Sequence, residues 1–450
     1  MRLLLATLGA LTLACGSNAS SVGDISPEEL LSHPPQDAIV LDVRTPGEYA
    51  SGHVPGAVNI PYDQVGSRLD ELHASPETPI VVYCERGGRA GKAASVLLGA
   101  GYHDVLHLEG DMSGWREAGR PVEKPQSFDV DALRKKAAAI FGVLPAQAPN
   151  PQNPLTDEKI ALGRQLFYDT RLSKNHDIAC NSCHLLSEFG QDGQPTSPGH
   201  RGQHGARNSP SVYNAAFHIA QFWDGRAADV EEQAKAPVLN PVEMAMPDAA
   251  AVEAVLRSIP GYRQGFAAAF PEAAEPVTFD NMARAIGAFE RRLVTPGRFD
   301  DFLAGSDDAL TEGELEGLQT FVDTGCVTCH MGPTVGGTMF QKLGLVKPYD
   351  TQDMGRFEVT GRESDRKVFK VPSLRNVAET GPYFHDGSIA SLEHAVSLMA
   401  EHQLGKTLSP SRNASIRAFL GALTGTPDGA YIAKPALPPS GPDTPAPDPS

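Results

Sequence analysis

Two short stretches decide the fold of this chain, CNSCH at residues 180–184 and CVTCH at residues 326–330. In each stretch, two thiols at this spacing can add to the two vinyl groups of one haem, and the His that follows can donate a ring nitrogen to the iron. Disulfides or a zinc site are the alternatives, but zinc needs four ligands in one cluster, and neither alternative requires a His after both Cys pairs. The sequence therefore predicts two covalently bound c-type haems. The residues expected to hold them are Cys180, Cys183 and His184 in the first stretch and Cys326, Cys329 and His330 in the second.

The composition is ordinary for a soluble globular protein of two or three domains. Of 450 residues, 41% are hydrophobic and 21% are charged. The net charge of -17 argues against nucleic acid and against an anionic membrane surface as partners. A positively charged redox protein would be attracted to such a chain at low ionic strength.

The first 15 residues have the pattern of an export signal, with one basic residue, a short apolar run and a small residue before Cys15. They resemble a bacterial lipoprotein signal, in which this Cys is acylated and becomes the first residue of the mature protein; plain cleavage is the alternative. We therefore expect a periplasmic protein anchored to a membrane through a lipid on Cys15. With one Cys for lipid and four for haem, Cys84 is left as an unpaired thiol.

A polar linker at residues 16–23 is followed by an α/β pattern at residues 24–125. Its apolar runs are continuous, rich in β-branched residues and bounded by Pro, Gly or Asp, as buried parallel strands are. The predicted strands cover residues 39–43, 80–83 and 105–108, and a predicted helix covers about 91–98. We therefore predict a small α/β domain with a parallel sheet.

The unpaired thiol lies where a predicted strand ends and a helix begins. Successive backbone N–H groups at such a junction can form an anion-binding nest, two glycines allow a tight turn, and two arginines add positive charge. The loop is therefore suited to hold a sulfur anion. Its residues are Cys84, Arg86, Gly87, Gly88 and Arg89.

This loop, together with the stretches at 41–44, 52–61 and 110–121, resembles the rhodanese family over the whole domain. In that family an arginine five residues after the Cys goes with sulfur, whereas related phosphatases have a loop one residue longer. The resemblance implies a persulfide carrier at Cys84, supported by Asp42 and Arg89. A degenerate domain kept for partner binding is the alternative.

The sequence from residue 126 onwards is mainly helical in pattern and is internally duplicated. A similar leader precedes each haem motif, with an N-cap Thr and acidic residues in the first turn, Thr156 in the first copy and Thr311 in the second. We therefore predict two cytochrome c-like lobes. The predicted segments are an N-terminal helix and connector at 126–154, a first lobe at 155–298, a second lobe at 299–430 and a disordered Pro-rich tail at 431–450.

Further motifs follow each haem stretch, at 199–202, 207–212 and 221–227 and then at 370–376 and 380–387. Their order and spacing closely resemble the bacterial di-haem cytochrome c peroxidases over residues 127 to 428. The resemblance implies the mainly α-helical fold of that family. It also implies a low-potential, peroxide-reacting haem in the first lobe and a high-potential, electron-accepting haem in the second.

The resemblance also assigns the remaining iron ligands. It implies His200 as a removable sixth ligand of the first haem; a solvated loop His is the alternative reading. For the second haem it implies Met399, whose thioether would favour ferrous iron and raise the potential, while a core Met on a helix is the alternative. A relative that oxidises protein side chains has Tyr at the position of Met399, so Met argues against that activity.

Peroxide cleavage needs one group to move a proton between the two oxygens and another to orient the peroxide. The resemblance implies Glu243 as that acid and base, Gln233 as its orienting partner and Trp223 as an electron bridge between the haems. A turn residue, a surface helix residue and a buried aromatic anchor are the respective alternatives. The resemblance also implies an interdomain calcium site made by Asn208 and the backbone carbonyls of Thr380 and Pro382.

The sequence thus predicts a periplasmic peroxidase that reduces hydrogen peroxide with electrons from a small cytochrome c or cupredoxin, and the resemblance favours a homodimer. Two other functions stay open. One is a sulfur-oxidising electron-transfer enzyme in which a Cys84 persulfide feeds electrons to the haems. The other is a non-catalytic di-haem electron relay.

Overall fold

The computed structural model describes residues 22–72, 74–124 and 129–450. The chain divides into two units, residues 1–127 and 128–450, close to the boundary predicted at 125. The expected export signal and Cys15 lie outside the described residues. No helix in the described ranges is long and apolar enough to cross a membrane.

The first unit contains a five-stranded sheet in the order β1-β5-β4-β2-β3, with every neighbouring pair parallel. The strands are β1 (Gly23–Ile25), β2 (Ile39–Asp42), β3 (Val58–Asn59), β4 (Ile80–Tyr83) and β5 (Val105–Leu108). The helices are α1 (Pro27–Ser32), α2 (Pro46–Ala50), α3 (Gly88–Gly99) and α4 (Asp111–Glu117). The three strands predicted from apolar runs are confirmed to within one residue, and the predicted helix begins earlier, at Gly88.

The packing of the central strand β4 explains why its sequence is apolar at every position and does not alternate with polar residues. Ile80 and Val82 pack into one core cluster with α3, whereas Val81 and Tyr83 pack into a second cluster with Trp115 of α4. All four strand residues are fully buried because both faces of the sheet are covered. Cys84 follows directly at the carboxyl end of this strand.

The second unit is mainly helical, and its described residues include a two-stranded antiparallel sheet. Helix α5 (Val130–Ile140) precedes the first lobe and packs in the core of the second, against Phe299 and Phe302. The first-lobe helices are α6 (Asp157–Tyr168), α7 (Cys180–Cys183), α8 (Val230–Leu239), α9 (Ala249–Ser258), α10 (Pro260–Ala269) and α11 (Phe279–Glu290). The elements that follow are α12 (Arg298–Ala304), α13 (Glu312–Thr324), β6 (Phe340–Lys342), α14 (Phe357–Thr360), β7 (Val368–Lys370), α15 (Leu392–Leu404), α16 (Pro410–Ala422) and α17 (Gly429–Ile432).

The two lobes repeat one helix-packing arrangement. In the first lobe α6 crosses α11, and in the second α13 crosses α16, each at a glycine that lets the backbones touch. A Cβ added to Gly163 would lie 1.8 Å from the carbonyl oxygen of Ala285, and one added to Gly317 would lie 1.9 Å from that of Ser415. The leaders of α6 and α13 both begin with a capping Thr, as predicted.

The Pro-rich segment 431–450 lies against the first lobe, whereas its composition predicts disorder. An extended Pro-rich chain loses little entropy on docking, and its carbonyl groups can accept hydrogen bonds from side chains of the lobe. The composition gives no sign of these partners, because they lie far away in the chain. The contacts are Arg171 Nη2 to the Pro438 carbonyl (2.9 Å), Ser258 Oγ to Thr444 Oγ1 (2.8 Å), and Lys174 Nζ to the Ser450 carbonyl (2.8 Å).

Candidate functional site

The first haem motif forms the short helix α7, and His184 follows its last residue. The Nδ1 atom of His184 lies 3.2 Å from the carbonyl oxygen of Gly190. A carbonyl can only accept a hydrogen bond, so Nδ1 carries the ring proton and Nε2 keeps a free lone pair. Burial lowers the pKa of His184 below its ordinary value, which keeps the ring neutral, as an iron ligand must be.

The second motif repeats this arrangement. The Nδ1 atom of His330 lies 3.3 Å from the carbonyl oxygen of Val335, and burial lowers the pKa of His330 to about 4. A backbone acceptor at Nδ1 fixes the orientation and the tautomer of a metal-binding imidazole. Both histidines therefore have the proton arrangement that iron ligation through Nε2 requires.

The second lobe contains a largely apolar cavity around its haem motif. Cys326, Cys329 and His330 line it together with Met399 of α15. Further wall residues are apolar and mostly well buried, among them Phe321, Ile416 and Leu420. Two thiols, an imidazole and a thioether in one apolar cavity are the groups that would attach a haem c and bind its iron. The residues present therefore fit the cofactor.

In the first lobe, His200 is buried rather than solvated. It is 5% exposed, and its backbone N–H donates to the carbonyl oxygen of Glu243 at 2.7 Å. The neighbouring Gly199 touches the same turn so closely that an added Cβ would lie 2.0 Å from the Val242 carbonyl oxygen. The His200 Nε2 atom lies 3.2 Å from the carbonyl oxygen of Ser450. The sixth-ligand candidate is thus held beside the acid and base candidate.

The Glu243 carboxyl lies in the turn that follows α8. Its Oε1 accepts a hydrogen bond from Asn240 Nδ2 at 2.8 Å. Burial raises the pKa of Glu243 above its ordinary value, although Arg226 and the hydrogen bond from Asn240 act in the opposite direction. Gln233 is half-buried on α8, and among the described residues no hydrogen bond joins its side chain to Glu243.

The residues expected at the junction of the lobes share one region. Trp223 and Asn208 line the cavity that contains His330, and the indole Nε1 of Trp223 donates to the carbonyl oxygen of Asn208 at 3.0 Å. Thr380 and Pro382 line the same cavity. The Asn208 side-chain nitrogen donates to the carbonyl oxygen of Gln194 at 3.0 Å, which fixes the amide through its nitrogen and leaves its oxygen available.

In the first unit, one backbone N–H of the Cys84 loop points at the thiol. The Gly87 N–H donates to the Cys84 sulfur at 3.1 Å. Arg89 is paired with Glu48 at 2.6 Å, and its pKa is raised mainly by that hydrogen bond and in part by Cys84. Arg86 is exposed, whereas Arg89 is half-buried. Gly87 has a φ of 86°, which favours glycine at this position.

Several residues that shape these sites escaped the sequence predictions. Asp111 accepts the Cys84 backbone N–H at 2.8 Å, whereas Asp42, expected to support the loop, is fully buried in a pair with Arg44 at 2.6 Å. Lys370 lies in the wall of the second-lobe cavity. The signal for that position was a lysine between the apolar residues Phe369 and Val371, at the end of β7.

Duplicated helical lobes, each with a CXXCH motif and an oriented His, define the second unit as a di-haem c-type protein. The sequence profile of the di-haem cytochrome c peroxidase family matches residues 157–308. The profile of the rhodanese-like domain matches residues 26–118.

Individual proteins extend the match over the second unit. The cytochrome c551 peroxidase of Pseudomonas aeruginosa is 47% identical over 325 residues, which cover 70% of this chain and 93% of that protein. The cytochrome c551 peroxidase of Nitrosomonas europaea is 48% identical over 322 residues, covering 71% and 95%. A solved structure of a MauG-like protein associated with microbial copper homeostasis is similar with a TM-score of 0.57 at 32% identity, covering 65% of this chain and 95% of that one.

The chain therefore belongs to the di-haem cytochrome c peroxidase family, is a peroxidase with two haems c, and carries a rhodanese-like domain. The expected fold classes of both units are confirmed. The family assignment leaves the oxidant, the electron donor and the location to be proposed.

Proposed function

We propose that this peroxidase reduces hydrogen peroxide to two waters in the periplasm, using two protons and two electrons from a small cytochrome c or a cupredoxin. Haem iron supplies the site where peroxide binds and the electrons that reduce it. The first lobe would bind peroxide, and the second would receive electrons from the donor. The net charge of -17 suits a positively charged donor.

One observation carries the proposal: Glu243, which is half-buried, lies next to His200 through a hydrogen bond between their backbones. Burial raises the pKa of the Glu243 carboxyl above its ordinary value, which suits the group to hold and release a proton. Asn240 holds the Glu243 carboxyl in place through Oε1. Because the His200 backbone N–H donates to the Glu243 carbonyl, departure of the ligand would leave the acid and base group beside the vacated position.

The second lobe supports the other half of the proposal. His330 and Met399 line one cavity, and a thioether with an imidazole suits a haem that only accepts and passes electrons. Trp223, in the same cavity, offers an aromatic path towards the first lobe. These residues are consistent with separate electron-accepting and peroxide-reducing sites.

Further parts of the proposal concern assembly. Asn208, Thr380 and Pro382 would bind calcium through oxygen atoms and so join the lobes. Their grouping at one cavity supports this site. We also propose a homodimer and a lipid on Cys15 that anchors the chain to a membrane.

Glu243→Gln tests the peroxidase proposal, because the amide keeps the shape of the side chain and removes its acid and base function. Steady-state peroxide turnover with a reduced small cytochrome should fall by about 100-fold or more, while both haem spectra stay unchanged. Glu232→Gln on the exposed face of α8 is the matched control. Full turnover in the Glu243 variant would refute the proposed role. If the parent protein showed no turnover and both its irons stayed six-coordinate after reduction of one, an electron relay would be favoured instead.

The first unit favours a second activity, because the Gly87 N–H donates to the Cys84 sulfur and Arg89 brings positive charge to the same loop. We propose that the Cys84 thiolate attacks thiosulfate, forms a persulfide as the S–S bond of thiosulfate breaks, and releases sulfite. Sulfite release should disappear in Cys84→Ser. If thiosulfate also reduces the haems and Cys84→Ser abolishes that reduction, the sulfur-oxidising function gains support over peroxide reduction.

A further inference from the structure

A buried pair of side chains lies in the wall of the second-lobe cavity. Lys370, the last residue of β7, is 7% exposed, and its Nζ lies 3.1 Å from Nδ1 of His218. Both residues line the cavity that contains His330 and Met399. Among the described residues no carboxylate lies within ion-pairing distance of the Lys370 ammonium, so an amine that is normally exposed or paired has here only an imidazole as its partner.

Both side chains of the pair carry N–H groups that can donate hydrogen bonds. An ammonium group has no lone pair, so Lys370 donates and His218 Nδ1 accepts. The ring proton of His218 is therefore on Nε2. That atom is buried and has no hydrogen-bond partner within the described ranges. Burying a cation, or an N–H group that has no acceptor, costs free energy unless an anion lies beside it.

The cavity itself indicates which anion. A haem attached at Cys326 and Cys329 carries two propionate groups, and these carboxylates are the negative charges that the cavity would have to accommodate. Burial lowers the pKa of Lys370 to about 8 in the protein without cofactor, and a carboxylate beside the amine would favour its charged form.

We propose that Lys370, together with His218, binds a propionate of the second haem and thereby sets both the position and the redox potential of that haem. The Lys370 backbone N–H donates to the carbonyl oxygen of Trp223 at 2.7 Å. The same residue would thus connect the haem edge to the backbone of Trp223. This inference depends on the two bound haems c and not on the oxidant.

A redox titration of the full-length protein with both haems tests the proposal. Positive charge beside a haem favours the reduced state, so Lys370→Gln should lower the midpoint potential of the second haem. We expect the ratio of reduced to oxidised haem at a fixed potential to fall about tenfold, which corresponds to about 59 mV for a one-electron couple. The resonance Raman bending mode of the propionate should shift as well, and the potential of the first haem should stay constant.

Two variants make the result specific. Lys370→Arg keeps the charge and should restore most of the potential and the Raman mode. Lys342→Gln removes an exposed lysine from the other strand of the same two-stranded sheet and should change neither. If Lys370→Gln lost the second haem while Lys370→Arg retained it, the proposed binding would be supported. An unchanged potential in Lys370→Gln, or equal shifts in both haems, would overturn the proposal.

Discussion

Glu290, the last residue of α11, is a carboxyl group that the core holds in its neutral form. It is 5% exposed, and burial together with the charge of Glu231 raises its pKa from 4.5 to about 8. The folded protein therefore keeps a proton that the unfolded chain releases. Its contribution to stability is complete below pH 4.5 and is lost as the pH rises towards 8.

Glu290→Gln should remove this pH dependence, because an amide does not titrate. In the parent protein this group should lower the free energy of unfolding by up to about 1.4 kcal/mol for each pH unit across that window. Denaturant unfolding at several pH values measures the slope, and Glu312→Gln on the exposed start of α13 is the control. Parallel slopes for parent and Glu290→Gln would show that the carboxyl ionises normally in the folded state.

At the scale of elements, each lobe depends on one crossing of two helices. On α13, Gly317 meets the Ser415 carbonyl oxygen, whereas a Cβ at Gly313 of the same helix would contact nothing within 4 Å. Gly317→Ala must therefore push α16 away and should cost about 3 kcal/mol of unfolding free energy. Gly313→Ala should be neutral or stabilise by about 0.5–1 kcal/mol, because alanine loses less backbone entropy.

Thermal unfolding followed at the haem absorption band compares these two variants directly. Gly163→Ala, at the matching crossing of the first lobe, should resemble Gly317→Ala, since its added Cβ would also meet a carbonyl oxygen. Equal stability of Gly317→Ala and Gly313→Ala would mean that the crossing adjusts freely and that backbone contact between the helices is not required.

Across the whole molecule, features encoded within a few residues could be predicted from the sequence. Thr156 and Thr311 each cap a helix by accepting a hydrogen bond from the backbone N–H three residues later. Each haem motif contains its attachment residues within five consecutive positions. Contacts between distant segments could not be predicted. Lys370 and His218 are 152 positions apart, and residues 431–450 find their partners on the first lobe. The composition of these segments does not specify which residues they contact.

Arg207 is one of the residues that join the two lobes. Its Nε and Nη2 donate to both carboxylate oxygens of Asp353 at 2.7 and 2.8 Å, and it also pairs with Asp224 and with Glu358. Asp224 belongs to the first lobe, whereas Asp353 and Glu358 belong to the second. Arg207 therefore neutralises acidic groups from both lobes at one point, directly before Asn208.

Arg207→Gln should leave the Asp353 carboxylate, whose side chain is 15% exposed, without its bidentate cation, while Asp224 keeps its pair with Arg226. Breaking such a pair from one side costs about 3–5 kcal/mol, so the lobes should separate at lower temperature and unfold in two steps. Arg207→Lys should rescue only in part, because an ammonium cannot make the bidentate contact. Calorimetry measures the number and the temperature of the unfolding transitions, and Arg362→Gln is the exposed control. A single transition at the parent temperature in Arg207→Gln would show that the lobes are held together without this arginine.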